Sequence, residues 1–310
     1  MSVEYAIIVK NKTRLETLIE RFNTKAQAKF YIERSGGDFD DYELENANFH
    51  DSLSSVQRQL STVIKNKIIE RSFLPSFLFS EKNVVIVIGQ DGLVANTAKY
   101  VNNIPIVAVN PDIDRFDGFL LPFTPDNFIG GVENVVRNKY PFRTATLAEA
   151  KLNDGQRLLA FNDLFIGSAS HVSARYRISY GGSTEEHSSS GIIVSTPIGS
   201  TGWLSSLFNM AAGVHNFVEN TAGEPVKTIR LSDGQLIFVV REPFLSKRSQ
   251  IGLTTGVFAR ETRLVVESFM PTRGVIFSDG IESDFLNFNS GSIATIGIAP
   301  ETAMLVVPGT

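Results

Sequence analysis

Cysteine is absent from the chain. That excludes disulfides, thiolate metal sites and a cysteine nucleophile, and it suits a reducing compartment. Long hydrophobic runs are absent too: no apolar stretch approaches the ~20 residues a membrane helix needs. No basic region followed by an extended apolar core opens the sequence, so no secretory signal is visible and a cytoplasmic location is expected. Basic residues are not in excess. The formal net charge is −4, which leaves no general electrostatic pull toward nucleic acid or anionic membrane. Histidine is scarce, and His50, His171, His187 and His215 show no metal-ligand spacing; ordinary polar or capping roles are expected for them. What remains is the composition of a globular chain, 43% hydrophobic and 20% charged. Its 310 residues are ample for two domains with full cores.

The most informative stretch is Asn83-Val-Val-Ile-Val-Ile-Gly-Gln-Asp-Gly92. Val84 to Ile88 are β-branched without a break and read as a short strand buried on both faces. Gly89 and Gly92 permit a sharp turn, and residues 93–102 carry apolar positions at helical spacing. A second apolar strand, Ile104 to Val109, completes a βαβ unit, whose ligand crevice lies at the carboxyl ends of its strands. Asp91 sits at such an end. A carboxylate there can accept a proton or hold a metal-bound phosphate, while nearby backbone N–H groups face an anion. An Asp-Gly turn that merely closes the strand explains the fragment equally well.

Upstream, Tyr5 to Val9 read as a strand, and residues 13–22 as a helix with Thr13 at its N-cap. The polar, acidic segment 35–48 reads as a solvated loop. A helix is predicted over 51–70, with Leu53, Val56, Leu60, Val63, Ile64 and Ile68 on one stripe. Phe73, Phe77 and Phe79 are expected to plug the core or, if exposed, to mark a partner surface. Asn110 to Leu120 form a turn-rich loop that either lines a site or changes direction.

Beyond about residue 125 short strand-like runs take over, at 158–161, 164–166, 174–180, 192–195, 236–240, 263–267, 274–277 and 293–298. Their spacing predicts a β-rich second domain. The division is therefore an α/β domain over 1–125 and a β-rich domain over 126–310, with the last segment free to return to the first domain. Two patterns in the second part can carry chemistry. Asn162-Asp163 interrupts two apolar runs; an amide beside a carboxylate can grip ribose hydroxyls, or form a polar bulge. The run Ser188 to Trp203 leads a strand into a loop of hydroxyls and glycines. Ser200 and Thr201 can cap a helix over 203–211 or bond a ligand, and Trp203 can stack on a planar ring or fill the core.

In their order these pieces resemble the NAD kinase family, most closely its mitochondrial-type branch. Gly89-Gln-Asp-Gly92 is similar to the family's GGDG phosphate-donor motif, and Val109-Asn-Pro-Asp with Asp117-Gly118 to the loop after the next strand. Asn162-Asp163 matches the pair that holds the dinucleotide. Phe165-Ile-Gly167, Ser173-Ala-Arg-Tyr176, Ser189-Ser-Gly191, Gly199-Ser200 with Trp203, Arg241-Glu-Pro243 and Asp279-Gly280 resemble later landmarks. The likeness runs through nearly the whole chain from Tyr5.

The resemblance implies a Rossmann-like α/β domain followed by a β-sandwich-like domain, with NAD in the cleft between them. It implies phosphoryl transfer from ATP or another phosphate donor to the adenosine-ribose 2′-hydroxyl, with Mg²⁺ or another divalent cation, and a homodimer or homotetramer. No nucleic-acid or membrane partner is implied. Asp91 would be the base; Gly89, Gln90 and Gly92 would meet the donor phosphates; Asn162, Asp163, Thr196, Gly199, Ser200, Thr201 and Trp203 would hold the nucleotide. No residue is singled out as a metal ligand. Gln90 stands where the family has glycine, at a cost of roughly 1–2 kcal/mol if the position is left-handed. Ser190 replaces the aspartate of the common bacterial form. A non-catalytic dinucleotide binder is the alternative. A lipid kinase of the diacylglycerol or sphingosine type is a third reading, opposed by Asn162-Asp163, the Gly199-Ser-Thr segment and the lack of a membrane-binding stretch.

Overall fold

A computed structural model describes residues 3–220 and 229–309. The chain divides into two compact units, one formed by residues 1–144 and 303–310 and the other by 145–302. Position 125 lies inside the first unit.

In the first unit the chain runs β1 (Tyr5–Lys10), α1 (Arg14–Phe22), α2 (Lys25–Arg34), α3 (Phe39–Val63), β2 (Lys65–Glu70), β3 (Asn83–Ile88), α4 (Asp91–Ala98), β4 (Pro105–Val109) and α5 (Phe128–Val136). The strands lie parallel in the order β2-β1-β3-β4. β3 is central because its Val and Ile side chains have no polar alternative to burial: Val84 through Ile88 are fully buried. Each contributes roughly 1.5–3 kcal/mol. Thr13 caps α1 with its hydroxyl on the Glu16 amide, while the Glu16 carboxylate accepts from the Thr13 amide, a complete capping box.

Two expectations fail between β1 and β3. Residues 39–48 are not a loop but the first turns of α3, capped by Asp38 and carrying Asp40 and Asp41 at its electropositive end. Polarity there marks an exposed helical face rather than an irregular segment. The helix predicted to residue 70 stops at Val63, and 65–70 become β2, where Ile68 pairs with Ile8. Sheet pairing overrides the helical spacing, since β2 gains a full parallel ladder beside β1. Phe73 is exposed and Phe77 and Phe79 are half-buried, while Leu74 fills the core instead. The helix α4 ends at Ala98, earlier than 102, although Val101 is still buried. α5 went unread because Gly130-Gly131 weakens its pattern; a Cβ at Gly131 would lie 2.9 Å from the Phe123 ring.

Strand β5 (Phe142–Leu152) leads into the second unit, which holds β6 (Arg157–Ala160), β7 (Asp163–Ser168), β8 (Ala174–Tyr180), β9 (Ser183–Ser189), β10 (Ile192–Ser195), α6 (Trp203–Glu219), β11 (Gln235–Val240), β12 (Thr255–Ala259), β13 (Leu264–Ser268), β14 (Gly274–Ser278) and β15 (Ile281–Asn287). β16 (Ile293–Val306) begins there, and its last residues return to the first unit, where Met304 and Leu305 pair with β4. One antiparallel sheet has the order β12-β11-β10-β7-β14-β15; β16, β13, β8 and β9 form neighbours in another, with β5 beside β16 and β6 beside β5. Alternate residues of both sheets, including Ile166, Val194 and Phe238 from one and Tyr176, Val266 and Ile296 from the other, fill one core. This is a β-sandwich, built by period-two alternation. Among the described residues no helix is long and apolar enough to cross a membrane.

Candidate functional site

Asp91 is the first residue of α4, directly after the buried β3 and the turn at Gly89. A Cβ at Gly89 would lie 3.0 Å from Leu93, and its φ of +156° is one that side chains rarely adopt. Gly92 has open space around it, so only the approach of another molecule would require its bare backbone. Gln90 is exposed, with φ −107° and ψ 166°. The left-handed cost considered for a side chain at this position is therefore not incurred: it is extended backbone that any residue adopts.

The Asp91 carboxylate is bound by the loop after β4. Its Oδ2 accepts from the Phe119 amide at 3.2 Å and its Oδ1 from the Leu120 amide at 2.8 Å. A carboxylate offers about four acceptor directions, so each oxygen keeps capacity for a further proton or donor. The loop is folded on buried Asn110, whose Nδ2 donates to the Phe116 carbonyl and whose Oδ1 accepts from the Asp112 amide. Gly118, at φ +64°, passes so close that a Cβ would come within 2.6 Å of that Nδ2.

In the second unit Asn162 and Asp163 form the corner between β6 and β7. Asp279 holds that corner: its carboxylate accepts from the amides of Phe161 (3.1 Å), Asn162 (2.6 Å) and Asp163 (3.3 Å). Asp279 and Gly280 both have positive φ, +54° and +70°, joining β14 to β15 in the tight turn that Asp-Gly favours. Asp163 is buried, and its Oδ1 has no hydrogen-bond partner. Burial pushes its carboxyl up to about 7; its cross-strand partner Ser195 opposes the rise through a hydroxyl contact, and the Asp279 charge adds to it.

The hydroxyl-rich loop closes on this corner. The Thr196 amide donates to the Asn162 carbonyl at 2.9 Å, and the Thr196 hydroxyl to the Phe161 carbonyl at 2.6 Å. Gly199 packs onto Asn162 so tightly that a Cβ would stand 2.2 Å from its carbonyl oxygen. The Ser200 hydroxyl donates to the Pro197 carbonyl rather than capping α6, while Thr201 is exposed. The helix predicted over 203–211 continues to Glu219.

Trp203 is half-buried and stacks on Phe165 with 9° between ring planes. Phe165 stacks in turn on Phe277, and the Arg241 guanidinium lies 5.4 Å from the Trp203 ring. These four side chains line a cavity of about 670 Å³ with Ser190, His171 and Glu282 on its walls. Of the nucleotide-holding residues read from the sequence only Trp203 reaches this cavity; Asn162, Asp163, Thr196, Gly199 and Ser200 form the separate corner. Sequence reasoning gave no binding role to Phe165, Phe277, Arg241 or Asp279, whose grouping depends on pairing between distant strands. The Phe165-Ile-Gly167, Arg241-Glu-Pro243 and Asp279-Gly280 landmarks were the available signals. Of the histidines, His187 is buried against Glu185 at 2.9 Å and His50 bonds Glu16 at 3.1 Å. Among the described residues no cluster of three or more His, Asp or Glu side chains is arranged to hold a metal.

No family model matches the chain. Among curated proteins it is 28% identical over 183 residues to a bifunctional NADP phosphatase/NAD kinase of Methanococcus maripaludis, covering 56% of this chain and 31% of the relative. It is 29% identical over 132 residues to an NAD kinase of Chlorobaculum tepidum (41% of this chain, 44% of the relative). It is 30% identical over 141 residues to an NAD kinase of Chlorobium luteolum (44% and 47%). The chain thus spans less than half the length of the curated relatives it matches. Among solved structures, yeast NADH kinase complexed with NADH aligns with a TM-score of 0.61 at 13% identity, covering 100% of this chain and 85% of that one. An NAD kinase from Archaeoglobus fulgidus in complex with ATP aligns with a TM-score of 0.55 at 15% identity, covering 97% and 92%. The fold is that of the NAD kinases, and the curated relatives to which parts of the chain are similar at 28–30% identity are NAD kinases, one of them a bifunctional NADP phosphatase/NAD kinase.

Proposed function

We propose that this chain is an NAD kinase that phosphorylates the 2′-hydroxyl of the adenosine ribose of NAD, with ATP or a similar donor. The observation that carries the reading is Asp163: a buried carboxyl with an unpartnered oxygen is costly unless a ligand completes it. It stands beside Asn162, in the pair that the resemblance assigns to the dinucleotide. In the first unit Asp91 is the base. It takes the proton of the attacking hydroxyl as the new P–O bond forms and the bond to the leaving diphosphate breaks. The donor phosphates lie at the α4 N-terminus, whose first N–H groups have no intrahelical partner, with Gly92 leaving room for them. Gly89 admits the turn, and Gln90 is exposed beside it. Asn162, Asp163, Thr196, Gly199, Ser200, Thr201 and Trp203 form the nucleotide side, the glycine and Thr196 by shaping the corner. Mg²⁺ or another divalent cation accompanies the donor; such an ion keeps several waters and needs few protein ligands when phosphates hold it.

Ser190 before Gly191 and the Phe165-Ile-Gly167 run favour the mitochondrial-type branch. Homo-oligomerisation belongs to the same reading. A non-catalytic dinucleotide binder is the second reading, favoured by Gln90 at the donor motif. The test is incubation with NAD, ATP and Mg²⁺, with NADP read by a coupled dehydrogenase, on the wild type and Asp91→Asn. The amide keeps the size and, through its single acceptor oxygen, one of the two loop contacts, but it cannot take a proton, so kcat should fall about 10²–10⁴-fold while NAD affinity changes little. Equal turnover would reduce Asp91 to a turn residue. Tight NAD binding with no NADP from any donor would favour the non-catalytic reading.

A further inference from the structure

The carboxylate proposed as the base is held by a loop, and that loop is tied to one helix along a single row of side chains. α3 lies on the parallel sheet through Phe49, Leu53, Val56 and Leu60, all buried in the core of β1, β3 and β4. A helix fixed in this way presents its neighbouring polar row at a set distance. Positions 41, 48, 52 and 59 follow at spacings of seven, four and seven, which is one helical face. Each touches the segment 111–125. Asp41 Oδ1 accepts from Arg115 Nη2 at 2.7 Å. Asn48 Nδ2 donates to Asp112 Oδ2 at 3.0 Å, the Ser52 hydroxyl to the Pro111 carbonyl at 2.8 Å, and Gln59 Nε2 to the Pro125 carbonyl at 2.8 Å.

We propose that this row of α3, with Arg115 as its outermost link, positions Asp91 by fixing the loop whose Phe119 and Leu120 amides hold the carboxylate; the proposal rests on the reading of Asp91 as the base. The chain of contacts is continuous: α3 to residues 111–115, the Asn110-centred turn to Phe116, the Gly118 reversal, then the two amides. Arg115 is joined to α3 through the Asp41 carboxylate. It reaches Asp41 and also lies 3.7 Å from Asp112 through Nε. Asp41 is itself pinned from the other side by Arg14 at 2.8 Å. Two guanidiniums hold its carboxyl down to about 2, Arg115 contributing first, so it remains charged throughout any working range. A carboxylate displaced by about 1 Å no longer meets the hydroxyl it must deprotonate, and such displacements cost up to about 10²-fold in rate. The ion pair is half-exposed and weak alone, so its loss should loosen the loop rather than detach it.

The test uses Arg115→Ala, Asn48→Ala/Ser52→Ala, Arg115→Lys and, as a control for loss of a surface ion pair, Arg137→Ala, whose partner is Glu133 on α5. The first two should lower kcat about 3–10-fold with KM for NAD within about twofold. Amide exchange at Phe119 and Leu120 should accelerate by a similar factor while circular dichroism stays unchanged. Arg115→Lys should recover part of both, and the control should alter neither. Unchanged exchange at the two amides in both Arg115→Ala and the double variant would overturn the proposal, whatever the activity. Faster exchange with kcat unchanged would also overturn it, since the loop would then not position the base. If the wild type makes no NADP, the kinase reading fails, and the proposal of a positioned base falls with it. Exchange then shows separately whether the α3 row braces the loop.

Discussion

Replacing Asp163 by Asn should stabilise the second unit at alkaline pH relative to acid, and the size of that change follows from its surroundings. The carboxyl is buried, and its pKa rises from 3.8 to about 7 because burial penalises the charged form. In the folded state it therefore keeps its proton over a range where the unfolded chain has released it. Stability falls by about 1.36 kcal/mol per pH unit through that range, from about pH 4 to about pH 7, and is flat above it. The full cost has a ceiling of about 4 kcal/mol, of which about 2–3 kcal/mol falls between pH 5 and pH 8. The Asn variant does not titrate. Its amide introduces an N–H pair next to an oxygen site that had no partner, a constant penalty of about 1–3 kcal/mol at every pH. The pH dependence of the difference isolates the charge. Urea unfolding followed by Trp203 fluorescence reports this unit, since Trp203 is the single tryptophan. The variant-minus-wild-type stability should grow by about 2–3 kcal/mol from pH 5 to pH 8. A difference independent of pH would refute the buried-charge reasoning. NAD binding should be weakened in the same variant, because the penalty is borne by the group assigned to the ligand.

Two further outcomes follow from the geometry. Gly199→Ala drives a methyl into the Asn162 carbonyl, 2.2 Å from where its Cβ would sit; overpacking of this kind costs about 1–3 kcal/mol, so the melting temperature should drop and NAD affinity with it, as read by calorimetry. Gln90→Gly relieves no backbone strain, so stability should change by less than about 0.5 kcal/mol; a lower donor KM in the NADP assay would show that the side chain crowds the phosphates, and an unchanged one that it is accommodated.

How much could be read in advance depends on how local each signal is. β3 was legible because five successive β-branched residues leave a strand buried on both faces as the only economical outcome. The short spacing of the later strand-like runs likewise announced a β-rich part of the chain. Thr13 as a cap is a contact three residues long, and sequence shows such contacts directly. The start of α3 was hidden because its exposed acidic turns look like a loop; only the apolar row further along, docked on the sheet, makes them helical. β2 was hidden for the opposite reason. Its residues have helical spacing, and the ladder that β1 offers decides the matter.

The chain by itself determined the order of the motifs, the identity of Asp91 and Asn162-Asp163 as chemical candidates, and the absence of thiol chemistry. Tertiary structure decided what those groups touch. It turned Asp91 into the anchor of a loop 28 residues away. It set Asp279 under Asn162 across 117 residues, and it left one oxygen of Asp163 buried without a partner. It also gathered Phe165, Trp203, Arg241 and Phe277 around one cavity. Each depends on hydrogen bonds and packing between strands far apart in sequence. Their register is fixed by burial of whole faces, and no local run of residues encodes it.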